Sequence, residues 1–204
     1  GRNPSRQSTE LKGAGQMLNL GWDPTNPNVL LGVGTANTAE FWDVRAAGRG
    51  MNVASVALPD AGVQTINVAW HPRGTDAVVG NHADKIAIID VRTHKVARTE
   101  KFTYEVNELV YSGDGGTLFA GCTVGVMAFG NYPSLEVTHV VPTSFAYALA
   151  RSRDGRTLAV GGYDANVQLI DAEDLAMRAS ITRLDEQVKS LSFSRDDALL
   201  ASVA

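Results

Sequence analysis

Cysteine is almost missing from this sequence: Cys122 is the only one in 204 residues. That excludes an internal disulfide framework and any Cys-x-x-Cys metal site. Cys122 closes the apolar stretch Leu118–Cys122, so a buried structural thiol is expected. A nucleophilic cysteine needs a positive, partly exposed setting, and a reducing compartment fits a free thiol. Histidine is also scarce. His71, His82, His94 and His139 form no H-x-H or H-E-x-x-H pair, so no zinc site is expected. There is no G-x-S-x-G elbow to support a serine nucleophile. No apolar run approaches about 18 residues, so no membrane-crossing helix is expected. Gly1–Arg6 has no apolar signal core. Neither charge sign dominates. Eighteen Lys and Arg against 22 Asp and Glu leave a net charge of −4, which excludes electrostatic nucleic-acid binding over the whole surface. What is plentiful is glycine, 20 residues without a collagen period, which suggests many tight turns. With 44 % hydrophobic and 20 % charged residues, the chain can build a core and is not mainly disordered.

The apolar residues repeat. An alternating run ending in an aromatic or large anchor, then a polar turn, occurs at Leu18-Asn19-Leu20-Gly21-Trp22-Asp23-Pro24. It returns at Ile66 to Gly74, Val106 to Gly115, Tyr147 to Gly155 and Val188 to Asp197. The anchors are Trp22, Trp70, Tyr111, Arg151 and Phe193, at intervals of 48, 41, 40 and 42. A second marker keeps the same period: Asp43, Asp90, Gly130 and Asp171 follow their anchors by 21, 20, 19 and 20 residues. Between the markers lie short β-prone runs. Val29 to Val33, Asp76 to Val79, Thr117 to Ala120 and Thr157 to Val160 are each expected to stop at a glycine. No sustained 3.6-residue period is present, so very little helix is expected.

Four short strands per ~40-residue repeat, closed by an apolar residue and Asp, is the grammar of the WD40 β-propeller. A single four-stranded blade cannot bury both its faces, so blades stack radially. The expected fold is all-β: four complete blades near residues 16–58, 63–102, 105–141 and 144–182, with a half blade over 187–204. The propeller domain is placed at 15–204, after a lead-in over 1–14. Rings of this type usually have seven blades, roughly 290 residues at this period, so an incomplete ring is expected.

Several segments resemble the family of WD40 propeller subunits of the THO complex, from about Leu11 to Ala204. They include Trp22-Asp23-Pro24-Thr25-Asn26-Pro27, Ile66 to Trp70, Val79-Gly80-Asn81, Ile89 to His94, Glu105 to Glu108, Tyr132 to Leu135, and Arg183-Leu184-Asp185 with Leu191 to Ser194. The chain departs from generic WD40 grammar. No repeat has Gly-His before its first strand. The turn Asp seven residues before the closing Asp survives only as Asp164, with Ala36, Ala83 and Thr123 elsewhere. The Asp–His bonds that often tie a blade are therefore missing as a set, and strand packing is expected to carry more of the stability. The resemblance implies a non-catalytic nuclear scaffold without cofactor. Its partners would be the large helical THO subunits and, indirectly, a DEAD-box RNA helicase, in the TREX assembly that couples transcription to mRNA packaging and export.

Other readings of the residues are weaker. Asp114-Gly115-Gly116 and Gly161-Gly162 read as hairpin turns, not phosphate cradles, because no helix follows. Asp23, Asp114, Asp154 and Asp196 recur once per repeat and read as turn caps. Arg45, Arg49, Arg92, Arg98, Arg151, Arg153 and Arg156 could touch RNA phosphates. Only Tyr104, Tyr132 and Tyr163 could stack bases, so RNA contact is expected to be weak or indirect. Candidate partner-binding residues lie in the loops that enter each blade, Tyr104, Pro142, Arg183 and Asp185, and in the neighbouring turn at Tyr163. A peptide reader or adaptor of a chromatin or ubiquitin-ligase complex is the alternative function.

Overall fold

The computed structural model describes residues 11–46, 52–182 and 184–204. Most of the expected lead-in, residues 1–10, lies outside them, as do Arg49 and Arg183. Every regular element among the described residues is a β-strand. β1 (Met17–Trp22), β2 (Val29–Gly34), β3 (Thr38–Asp43) and β4 (Asn52–Ala57) form the first sheet. The second contains β5 (Thr65–Trp70), β6 (Asp76–Asn81), β7 (Lys85–Asp90) and β8 (Lys95–Lys101). The third contains β9 (Val106–Tyr111), β10 (Leu118–Cys122), β11 (Gly125–Gly130) and β12 (Glu136–Val141). The fourth contains β13 (Ala146–Arg151), β14 (Thr157–Gly162), β15 (Val167–Asp171) and β16 (Met177–Ile181). β17 (Ser190–Phe193) and β18 (Leu200–Val203) pair as a two-stranded sheet. Each sheet is an antiparallel meander, and β1, β5, β9, β13 and β17 lie side by side in that order.

The core sits between sheets. Leu31, Val33 and Phe41 of the first blade meet Ala77, Val79 and Ile89 of the second. Val78, Ile86 and Ile88 turn the other way, onto Leu109, Tyr111 and Leu118 of the third. Successive side chains point to opposite faces of a strand. The middle strands, packed on both faces, therefore read as unbroken apolar runs, whereas the outermost strands β12 and β16 are almost wholly exposed and carry polar residues.

The second strand of the first and fourth blades ends at its glycines, Gly34 and Gly162, whereas that of the second and third runs one residue past Gly80 and Gly121, to Asn81 and Cys122. The glycines are there for close approach. A Cβ on Gly161 would stand 2.5 Å from Cγ1 of Val188, and one on Gly121 would stand 3.0 Å from the Ala146 carbonyl oxygen. Gly161-Gly162 is thus the end of a strand and not a hairpin turn, which begins at Tyr163. Gly125 follows the Thr123-Val124 turn as the first residue of β11, at φ +118°, and its Cβ would fall 2.3 Å from the Val141 oxygen and 2.6 Å from the Thr143 nitrogen. Both obstacles are backbone. Gly125→Ala is expected to cost about 3 kcal/mol, read as a lower urea midpoint at unchanged slope.

Candidate protein-docking face

The loops fall at two ends of the blades. One end holds the turns after the first and third strands. There Ser112, Ser152 and Ser194 each donate a hydroxyl bond to Asp114, Asp154 and Asp196 two residues on, at 2.6, 2.7 and 2.7 Å. The same hydroxyls accept the amides of Thr117, Thr157 and Leu199. Asp23 caps its turn through the amides of Thr25 and Asn26. These are the Asx-type caps expected from the repeat.

His71 is a turn residue whose side chain is nevertheless buried. It packs on the ring of Tyr132 (5.6 Å) and edge-on to Tyr111 (5.1 Å). Tyr111 and Tyr132 both donate to the Asp76 carboxylate, which joins the second and third blades. The burial pushes both phenols upward in pKa, and the neighbouring Asp76 adds to it.

Three further bonds tie neighbouring blades. The Asn19 amide donates to Ile66 O at 3.0 Å, and the Asn67 amide to Val106 O at 3.1 Å. The Trp70 indole donates to Gly21 O at 2.9 Å while its ring meets Phe41 edge-on. The sequence carried a signal for the asparagines: both stand three residues before an anchor. In the third repeat that position is Glu108. It pairs with Gly121, over which the Ala146 carbonyl stands, and it accepts only the amide of Leu109 at 3.2 Å. Burial raises its carboxyl pKa to about 7, against a small opposing effect from that amide.

Cys122 is fully buried, and burial pushes its thiol up to about 11. It is expected to resist an aromatic disulfide reagent at pH 8 in the native protein and to react at once in denaturant. Among the described residues, no three His, Cys, Asp or Glu side chains are grouped to hold a metal ion.

Several of the arginines that could meet phosphates are engaged locally. Arg45 pairs with Asp43 at 2.5 Å, and the bonds from Arg45 hold that carboxyl near 2. Arg98 pairs with Glu100 and donates to Pro133 O. Arg151 is half-buried and donates to Ser152 O. A groove of about 730 Å³ at this end, between the third and fourth blades, is lined by Asp114, Asp154, Asp171 and Glu173 with Arg156 as its single cation.

The opposite end holds the blade-entry loops and the turns between second and third strands. The structure puts Tyr104, Pro142, Tyr163 and Asp185 there, all exposed. It brings three of them around the fourth blade. Pro142 lies on its entry loop and Tyr163 in its turn, and Asp185 precedes Val188, whose amide donates to Gly162 O at 3.1 Å. Tyr104 is one blade away, at the entry to β9. Two aromatic residues not foreseen from the sequence, Phe145 and Tyr147, complete this end. Their rings are 4.5 Å apart, and Tyr147 lies 6.1 Å from Tyr163. Spacing alone could not mark them, because they become neighbours of Tyr163 only through a cross-strand amide bond from Tyr163 to Phe145 O.

The meander blades, the inner row of first strands and the repeat grammar define a WD40-type β-propeller chain. The chain is similar in sequence to THO complex subunit 3 of Arabidopsis thaliana, 32 % identical over 198 residues, covering 96 % of this chain and 61 % of that protein. It is also 27 % identical over 200 residues to the WD repeat-containing protein AAC3 of Dictyostelium discoideum, covering 94 % of this chain and 41 % of the relative. The chain thus spans about three fifths or less of the length of these relatives. The β-propeller domain of Cps50 (Swd1) from Myceliophteria thermophila superposes with a TM-score of 0.81 at 15 % identity, over 96 % of this chain and 64 % of that one. That likeness speaks to fold alone. No protein-family model matches the chain. The THO resemblance seen in the sequence segments is the one this comparison returns.

Proposed function

We propose that this chain is the propeller part of a non-catalytic scaffold subunit in a THO/TREX-like nuclear assembly, coupling transcription to mRNA packaging and export through protein contacts. The observation that carries this reading is the 32 % identity to a THO subunit sustained along nearly the whole chain. The large helical THO subunits are the direct partners, and the DEAD-box helicase is reached through them. RNA contact is weak or indirect, in keeping with arginines already held by Asp43 and Glu100. The docking residues are Tyr104, Pro142, Tyr163 and Asp185, with Arg183 as a fifth on sequence grounds. No observation favours the peptide-reader alternative.

The propeller unit of 15–204 is proposed to belong to a larger ring, seven-bladed as the class usually is. Leu20 and Trp22 support this. Their counterparts Leu109 and Tyr111 are buried against the preceding blade, and Val68 and Trp70 pack into the first-to-second blade core. Leu20 and Trp22 themselves are 59 and 57 % exposed. An apolar inner-strand face of this kind is built to receive another blade.

The test is affinity purification of the tagged full-length protein from native extract after RNase treatment, with mass spectrometry of the retained proteins. Helical THO subunits and a DEAD-box helicase in near-stoichiometric amounts are expected. Their absence, with chromatin or ubiquitin-ligase subunits in their place, overturns the reading.

A further inference from the structure

Phe145, Tyr147 and Tyr163 form a continuous aromatic surface at the entry end of the fourth blade. Phe145 and Tyr147 are partly covered, and Tyr163 is 63 % exposed. Three carboxylates lie on the segments beside it. Asp164 follows Tyr163 directly. Burial opposes its charge, but bonds from Ser144 (2.7 Å) and Asn166 (2.8 Å) outweigh that and keep the carboxyl below its usual range. Asp185 and Glu186 come alongside on the segment that Val188 pins to Gly162. Among the described residues none of the three is in an ion pair.

Aromatic faces bind cations, and they bind the flat guanidinium best because it can stack while its edge donates to carboxylates. The same carboxylates repel phosphate. We infer that the Phe145–Tyr147–Tyr163 surface, rimmed by Asp164, Asp185 and Glu186, docks an arginine-bearing segment of a partner protein. One guanidinium stacks against Tyr163, and its N–H groups reach the rim. This rests on the protein-docking reading above but not on the identity of the assembly.

The probe is a fluorescent Gly/Ser peptide with paired arginines, titrated onto the full chain, beside the same peptide with citrulline or lysine in their place. The citrulline peptide is expected to bind about tenfold more weakly and the lysine peptide severalfold more weakly. Tyr163→Ala should weaken the arginine peptide about tenfold, and Tyr163→Phe should restore most of it. Tyr163 is exposed, so both variants are expected to melt with the parent; Asp185→Asn with Glu186→Gln gives an independent second loss. Equal affinity for arginine and citrulline peptides, undiminished binding by Tyr163→Ala, or competition by poly-uridine overturns the inference. If the peptide binds as expected but no THO-type subunit co-purifies, the docking inference stands and the assembly reading falls. If the subunits co-purify with the Tyr163→Ala chain undiminished and the peptide does not bind, the reverse holds.

Discussion

Glu108→Gln is expected to stabilise the protein at pH 8 and to leave it unchanged at pH 4. Glu108 occupies the position where Asn67 sends an amide N–H to the next blade's carbonyl. An ionised carboxylate offers no proton there. The protonated acid can donate, as glutamine can. The sign follows from the pKa. The folded carboxyl titrates near 7 and the ordinary group near 4.5. The folded state therefore prefers the protonated form. Its contribution is full below about 4.5, is lost as pH rises through 7, and is at its worst above that. A shift of that size corresponds to roughly 3 kcal/mol, reduced here to about 2 because Glu108 keeps a partial opening to solvent. Urea unfolding of parent and Glu108→Gln at pH 4, 6 and 8 checks it. A gain that is the same at all three pH values sinks the explanation. The turn aspartates act in the opposite sense. Asp43, held near 2 by its bonds from Arg45, and Asp114, held low chiefly by Ser112, favour the folded state until acid protonates them.

Trp70→Ala is expected to cost about 3–4 kcal/mol and Trp22→Ala less than about 0.5 kcal/mol, although the two residues hold the same place in their repeats. Trp70 fills the joint between the first two blades. It meets Phe41 edge-on at 5.9 Å and donates to Gly21 O. Removing it opens a cavity and leaves that carbonyl unmet. Because blade stacks are held by nearest-neighbour interfaces, the first blade should loosen before the rest. Limited proteolysis of Trp70→Ala should cut first within the first blade, around residues 43–65. Trp22 faces solvent in this chain, so its loss removes little packing here. In a longer chain that supplied a preceding blade, Trp22→Ala would become as costly as Trp70→Ala. Chemical denaturation of both variants in both lengths of chain distinguishes the cases.

Much of the fold was legible because the repeat writes each requirement several times. Apolar runs at the second strands, turn aspartates and closing Asp43, Asp90 and Asp171 recur at one period, so four blades could be counted directly. The glycine boundaries misled for a physical reason. Gly121 and Gly161 are glycine because a neighbouring blade stands within 3 Å of their absent Cβ, and closeness between blades is invisible to local turn chemistry. His71 reads as polar turn residue for the same reason, since Tyr111 and Tyr132, which cover it, come from the next repeat.

The sequence by itself determined the all-β class, the blade count, the paired turn caps and the sustained likeness to a THO subunit, since each depends on spacing within one repeat. Only the tertiary structure decided how repeats meet. It packed Trp70 against Phe41 of the first blade while leaving Trp22 open. It also drew Phe145 and Tyr147 together with Tyr163 under an acidic rim. These are relations between side chains far apart in sequence that become neighbours only when strands pair and sheets stack, and no local pattern encodes them.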